Sequence, residues 1–171
     1  MAYCVVRTDL MSGTVNPAYL ENGRYYNASG AFEAIQNGSI VHVGALETDQ
    51  RESHKYLDVT ADSKIDDLVL IADEELIYSE SDRKNLRDYI NEAGKCIRGY
   101  YMRPNNEFSV TSDGISGVAP TVGQKLVVAK DSHILKVGSS SDGVVIGTCT
   151  AIETKFQFGT TVTYYTIKVG K

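Results

Sequence analysis

Cysteine, histidine and grouped carboxylates are the side chains of this sequence that could carry chemistry, and their spacing favours no known site. The cysteines are Cys4, Cys96 and Cys149, and the histidines are His42, His54 and His133. This wide spacing contains no CxxC or histidine-rich pattern typical of a zinc site. A Cys–His pair could form in space, but no glycine-rich nucleophile turn accompanies either residue type. We therefore predict no catalytic residue, no metal and no cofactor.

Acidic and serine-rich stretches were the other candidates for catalysis. Carboxylates border predicted strands at Asp66 and Asp67 and again at 73–75. Paired carboxylates can act in glycoside hydrolysis, but solvated acidic turns show the same pattern. The serines at 139–141 have Asp142 beside them but no nearby base, and the glycines form neither GxGxxG nor a phosphate loop. The sequence therefore predicts a protein that is not an enzyme.

The length and composition of the chain limit the kinds of protein that remain possible. The chain has 171 residues, of which 42% are hydrophobic, so it can form one large domain or two small ones. Its N-terminus, MAYCVVRTDL, lacks the pattern of a signal peptide, and no apolar run approaches a membrane span. No Lys/Arg cluster is interleaved with aromatic residues. We expect folding in a reducing cytoplasm, with neither membrane nor nucleic acid as a partner.

Charge divides the chain into two unequal parts. Residues 1–94 hold 8 Lys and Arg against 17 Asp and Glu, whereas residues 95–171 hold 9 against 5. Opposite charges could steer packing within the chain or steer neighbouring copies against each other. We divide the chain into an N-terminal strand and arm (1–28), an acidic α+β subdomain (29–94) and a basic all-β subdomain (95–171).

Hydrophobic periodicity predicts a mainly β fold with two short helices, an α+β protein built as small antiparallel barrels or a sandwich. One helix is predicted from Ser29 or Gly30 to Gly38, and the other over residues 80–93 with Gly94 as its stop. The run 68–72 is the most apolar and is predicted to be central core. A weak echo between 38–44 and 123–129, and between 67–72 and 142–147, favours either two related β-subdomains or chance.

Two hairpins are predicted in the second half. The first joins 95–103 to 107–112 across Pro104, Asn105 and Asn106. The second joins 150–157 to 161–169, with Gly147 as a bend or bulge in the preceding strand. The last strand can bury its apolar residues together only if a bulge shifts the phase.

Residues 8–28 are predicted to form an arm or long loop. The stretch has no sustained period but carries much apolar surface for a solvated tail. Its candidate interface residues for another protein subunit or a neighbouring copy are Leu10, Met11, Tyr19, Leu20, Tyr25 and Tyr26. The alternative is that these side chains cover the protein's own β body. On the first interpretation, a chain without residues 1–28 would still fold.

Four segments carry a family resemblance: VVRTDLMSGT at 5–14, NGSIVHVGALE at 37–47, DDLVLIADEELIYSE at 66–80, and NLRDYINEAGKCIRGYYM with EFSVT between 85 and 111. Together they resemble a group of structural proteins encoded beside the major capsid protein in tailed phages and prophages. The segment from NEAG to RGY is the most distinctive, and the others are generic strand patterns.

The resemblance implies a head protein, either a capsid decoration protein or the base of a head fibre. The partners would be the major capsid protein and further copies in a homo-oligomer, on virions assembled in the bacterial cytoplasm. The alternative from another class is a carbohydrate-binding or host-surface module, because exposed tyrosines can stack on sugar rings. A groove lined by Tyr100, Tyr101, Tyr164 or Tyr165 would favour that alternative.

Overall fold

A mainly β fold is confirmed by the structure, a computed structural model that describes residues 2–48, 52–75, 86–157 and 159–170. Within these ranges it has twelve strands, one short α-helix, α1 (Ser12–Val15), and four 3-10 turns (Pro17–Tyr19, Ile65–Asp67, Leu86–Asp88 and Ser112–Gly114). The strands are β1 (Val6–Leu10), β2 (Leu20–Tyr25), β3 (Ile40–Leu46), β4 (His54–Leu57), β5 (Leu68–Ile71), β6 (Ile97–Tyr101), β7 (Glu107–Thr111), β8 (Ile115–Ser116), β9 (Lys125–Val128), β10 (Leu135–Val137), β11 (Val144–Gln157) and β12 (Thr160–Val169). No helix in the described ranges is long and apolar enough to cross a membrane.

Five strands close into a small barrel in the order β2-β4-β3-β5-β6. Its interior is one apolar cluster to which every strand contributes: Tyr25, Val41, Tyr56, Val69, Ile71 and Ile97. The Tyr56 ring takes up much of this space, because a Cβ added at Gly23 would lie 2.6 Å from its Cε1. Glycine is therefore required at Gly23 for the strand to approach the ring.

The other seven strands form one sheet in the order β1-β7-β12-β11-β9-β10-β8. All its pairs are antiparallel except that between β10 and β8. The sheet packs on the outside of the barrel, since one core cluster joins Ile40, Leu68 and Leu70 of the barrel to Leu126 and Ile167 of the sheet. Alternate residues of β5 thus face the barrel interior and the sheet, which explains why all four are fully buried. The prediction of central core at 68–72 is confirmed for these four strand residues.

The first predicted helix is wrong, and the second can be compared with the structure only from residue 86 onward. Residues 29–38 contain turns and isolated bridges instead of a helix, with Tyr26 bridging to Phe32 and Ile35 to Asn91. Residues 80–85 of the second predicted helix, 80–93, lie outside the described residues. Beyond that, only the single turn Leu86–Asp88 is helical. Gly94 does have a positive φ of 78°, but it closes a turn and not a helix.

The first predicted hairpin is also wrong. β6 and β7 are consecutive along the chain but belong to different sheets, β6 to the barrel and β7 to the seven-stranded sheet. The turn itself exists, and Asn105 has a φ of 68°. Met102 and Asn105, however, donate their backbone N–H groups to Leu68 and Val169, in the two different sheets. The segment is therefore the crossing point between the two halves of the molecule.

The predicted arm is largely regular structure. Residues 6–10 form β1 of the large sheet, and residues 20–25 form β2, which closes the barrel between β4 and β6. The prediction of an arm or loop over residues 8–28 was therefore wrong for these stretches. Strand pairing also crosses the predicted boundaries after residues 28 and 94, because β2 and β6 pair with each other.

The second predicted hairpin is confirmed, with β11 and β12 paired from Gly147 to Val169. A register shift between Val145 and Gly147 confirms the irregularity predicted at Gly147. The phase shift expected in the last strand lies in its partner instead, between Cys149 and Ala151. The echoed segments do pair in the same way, β3 with β5 and β9 with β11, but the second pair lies in the open sheet and not in a second barrel.

Candidate functional site

The three cysteines are free. Cys4 and Cys149 are buried, whereas Cys96 is exposed. Burial raises the pKa of the Cys4 thiol to about 12 and raises the pKa of Cys149 as well. A thiol held in its protonated form is a poor nucleophile and a poor metal ligand, so these two cysteines act as small core residues.

Each histidine bonds to a different part of the fold. Nδ1 of His54 lies 2.8 Å from the backbone oxygen of Gly44, and Nδ1 of His42 lies 3.4 Å from Oγ of Ser63. The third, His133, contacts Asp58. Within the described ranges, no three His, Cys, Asp or Glu side chains are grouped so that they could hold a metal ion.

Tyr25, Asp58 and His133 form the most connected titratable cluster. The Tyr25 hydroxyl donates to Oδ1 of Asp58 at 2.8 Å, and Nδ1 of His133 lies 2.8 Å from the same oxygen. Burial, followed by the bond to Asp58, raises the pKa of Tyr25, which keeps its hydroxyl protonated as the donor. His133 also offers its backbone oxygen to the N–H of Ile40 in the barrel. The cluster therefore fastens the loop before β10 to the barrel.

A shallow cleft of about 310 Å³ lies beside this cluster. Its lining residues are Tyr26, Asn27, Ala28, Gly30, Leu57, Asp58, Thr60 and Asp131. Its volume is at the lower end of the range for small-molecule sites. Oδ1 of Asp58 already bonds to Tyr25 and His133. Its position at the edge of the cleft is therefore explained by its role in fastening the loop before β10 to the barrel.

The six candidate interface residues are distributed between core and surface. Met11 and Tyr25 are only 2% and 4% exposed and belong to the two main apolar clusters. Tyr19, Leu20 and Tyr26 are half-buried, and Leu10 is exposed. Met11 and Tyr25 therefore pack into the protein's own β body, which is the alternative stated for this stretch.

The β1 edge of the large sheet carries exposed apolar side chains. Among the described residues β1 pairs only with β7, and α1 follows it directly. Leu10 at the end of β1 is 67% exposed and Val15 at the end of α1 is 87% exposed. The half-buried Tyr19 comes next, with the Arg103 guanidinium 5.2 Å from the centre of its ring. We refer to Leu10, Val15 and Tyr19 as the N-terminal surface.

A second exposed surface lies at the far end of the β11–β12 hairpin. β9 covers β11 only as far as Thr148, and β7 covers β12 only from Tyr164 onward. Residues 151–157 and 160–163 therefore form a two-stranded ribbon, in which Phe156 is 77% exposed and Ile152 42% exposed. Arg7 of β1 fastens its base by pairing with Glu153 at 3.2 Å and lying 3.9 Å from the centre of the Tyr164 ring.

Sequence reasoning predicted this hairpin but missed its surface. Over 152–156 the uncharged Ile152, Thr154 and Phe156 alternate with the charged Glu153 and Lys155, which is the pattern of a strand with one less polar face. The sequence of β11 does not reveal that β9 pairs with it only as far as Thr148, because this pairing involves residues far away in the sequence.

Comparison with known proteins adds no identification to this geometry. No protein-family model matches the chain, and neither a curated protein nor a solved structure matches it.

Proposed function

We propose that this protein is a structural protein of a tailed-phage virion that binds the outside of the capsid as a decoration or head-stabilising protein. The observation that carries the proposal is the N-terminal surface. The segment VVRTDLMSGT, which contributes to the resemblance, contains the edge strand β1 of the large sheet and exposes Leu10. Exposed apolar side chains at the edge strand of a sheet are a common site for binding another chain.

The packed body of the protein could hold the N-terminal surface in the same position on every copy bound to a capsid. The barrel and the large sheet share one core cluster, so the N-terminal surface is held on a packed body. A small contact of this kind binds weakly by itself, but many copies on one particle, or several surfaces in one oligomer, strengthen it through effective concentration. Partners are proposed to be the major capsid protein and further copies of this chain.

Binding to particles tests the proposal. Purified protein is mixed with capsids that lack it and sedimented, and the bound fraction is measured against protein concentration. The double variant Leu10→Ser/Val15→Ser removes apolar contacts and should weaken binding by about tenfold or more. The matched control is Val118→Ser/Val122→Ser, because these two valines are also exposed, at 76% and 61%, but lie in another loop.

Three outcomes are informative. Binding by the natural protein and by the control, but not by the N-terminal variant, supports the proposed surface. Equal binding by all three supports the capsid role and contradicts the surface. A natural protein that does not sediment with the capsids contradicts the function itself.

The second candidate, a carbohydrate-binding or host-surface module, has less support. Of the four tyrosines proposed to line a sugar-binding groove, Tyr100, Tyr164 and Tyr165 are at most 9% exposed. They cannot present a ring face for stacking on a sugar. The cleft beside Asp58 is a concave surface that includes an aromatic side chain, and a glycan screen with the Tyr26→Ala variant would test whether it binds saccharides.

A further inference from the structure

We propose that residues 151–157 of β11 pair in antiparallel fashion with the same residues of a second copy, forming a two-fold symmetric dimer centred on Thr154. The proposal is independent of capsid binding, because it concerns the isolated protein and a different surface from the N-terminal one.

The open edge of β11 is the first observation. In the described part of the chain, the last bonds between β11 and the β9 side are those of Cys149 with Gly123 and Gln124. Beyond Cys149, β11 pairs only with β12, and this continues to Gln157. Every second residue of 151–157 therefore directs its backbone N–H and C=O away from the hairpin, which leaves a row of donors and acceptors available to another strand.

Self-complementarity is the second observation and selects the occupant. If Thr154 lies opposite Thr154 of a second copy, then Glu153 lies opposite Lys155 of that copy, and Lys155 opposite its Glu153. In the same register Ile152 lies opposite Phe156, in both directions. Opposite charges and apolar pairs directly across two strands are both stabilising, whereas like charges opposed in this way are destabilising.

The two kinds of pair also lie on separate faces of the ribbon. Glu153 and Lys155 are opposite Tyr164 and Val162, on the face that Arg7 covers. Ile152 is opposite Tyr165, which belongs to the main core, and Phe156 continues this face beyond the core into solvent. A second ribbon would therefore extend the apolar face of the first and match its charges on the other face.

A shift of register removes this match. Sliding the second strand by two residues places Glu153 opposite the second copy's own Glu153, or Lys155 opposite its own Lys155, and separates the Ile152–Phe156 pairs. The free chain places Nζ of Lys155 2.8 Å from Oε1 of Glu153 in the same strand. In the dimer each lysine lies between two glutamates, one from each chain, so the charge network grows and both charges remain at the surface.

Sedimentation-equilibrium analysis of the purified protein over a concentration series tests the proposal. The natural protein should dimerise. Lys155→Glu, which leaves the Arg7–Glu153 pair in place, sets glutamate opposite glutamate twice and should raise the dimer dissociation constant by at least about tenfold. Glu153→Lys sets lysine opposite lysine with the same expected effect, and Lys130→Glu, an equal charge change at an exposed residue outside the ribbon, should leave the constant unchanged.

Mixing the two ribbon variants makes the test specific to the register. In an equimolar mixture, a chain with two glutamates lies opposite a chain with two lysines, so a heterodimer should form at concentrations at which each variant alone is monomeric. Circular dichroism spectra and thermal melts confirm that each variant is folded. A natural protein that stays monomeric at all concentrations, an oligomer unaffected by both variants, or a mixture that stays monomeric would each overturn the proposal.

Discussion

The side-chain amide of Asn91 donates to Oδ1 of Asn37 at 2.9 Å, and both residues are buried. Asn91 also donates to the backbone oxygen of Ile35 and accepts from the Tyr89 hydroxyl. Asn37 in turn exchanges two bonds with the backbone of Asp73. The first residue of the NEAG segment thus joins three separate stretches of chain around the barrel, which gives this distinctive motif a structural role.

Replacing Asn91 with alanine should lower the free energy of unfolding by about 1–3 kcal/mol, because it leaves buried partners of the amide without bonds. Chemical denaturation measures the change. Asn22→Ala is the control, since Asn22 is exposed on β2, and should change stability by no more than about 0.5 kcal/mol. Equal effects of the two substitutions would show that the Asn91 network contributes little.

Deleting residues 1–28 should abolish the cooperative thermal transition. The deletion removes β2 and opens the barrel between β4 and β6, and it removes Cys4 and Met11 from the core. Circular dichroism against temperature, with an NMR amide spectrum, checks this outcome. A truncated chain that melts like the full one would contradict the closed barrel and restore the earlier expectation of a separate arm.

The sequence pattern predicted those features of the fold that depend only on residues close together in the chain. The apolar run of β5, the irregularity at Gly147 and the hairpin of β11 and β12 all follow from residues close in sequence. Pairing between distant residues decided the rest. Two strands joined by a turn have the same sequence pattern whether they pair in one sheet or enter different sheets, as β6 and β7 do. Similarly, the polar residues of β2 look like a loop until the barrel closes on both sides of them.

Alkaline pH should destabilise the protein through Tyr101. Burial, with the neighbouring Glu21 carboxylate, raises the pKa of Tyr101 to about 12, and its hydroxyl donates to Oε2 of Glu21 at 3.1 Å. The unfolded chain loses this proton at about pH 10, whereas the folded chain keeps it, so stability should fall as pH rises from about 10 to about 12.

Denaturation curves across that pH range check the effect. The Tyr101→Phe variant, which has no proton to lose there, should show a shallower fall than the natural protein. Asn22→Ala, an exposed substitution that removes no phenol, should keep the natural slope. If Tyr101→Phe also keeps it, the Tyr101 environment contributes nothing to alkaline unfolding.

Thiol labelling should distinguish the cysteines. In the native protein only Cys96 is exposed, so one thiol should react rapidly with a dithionitrobenzoate reagent and all three should react after denaturation. The Cys96→Ser variant should lose the rapid phase. Two rapid thiols in the native protein would show that Cys4 or Cys149 is not buried in solution.

The virion role is tested most directly by quantitative mass spectrometry of gradient-purified particles from a host that carries the gene. The account predicts that the protein is present in a constant ratio to the major capsid protein, across gradient fractions and after repeated purification. Absence of the protein from purified particles, or a ratio that falls with each purification step, would contradict the proposed function.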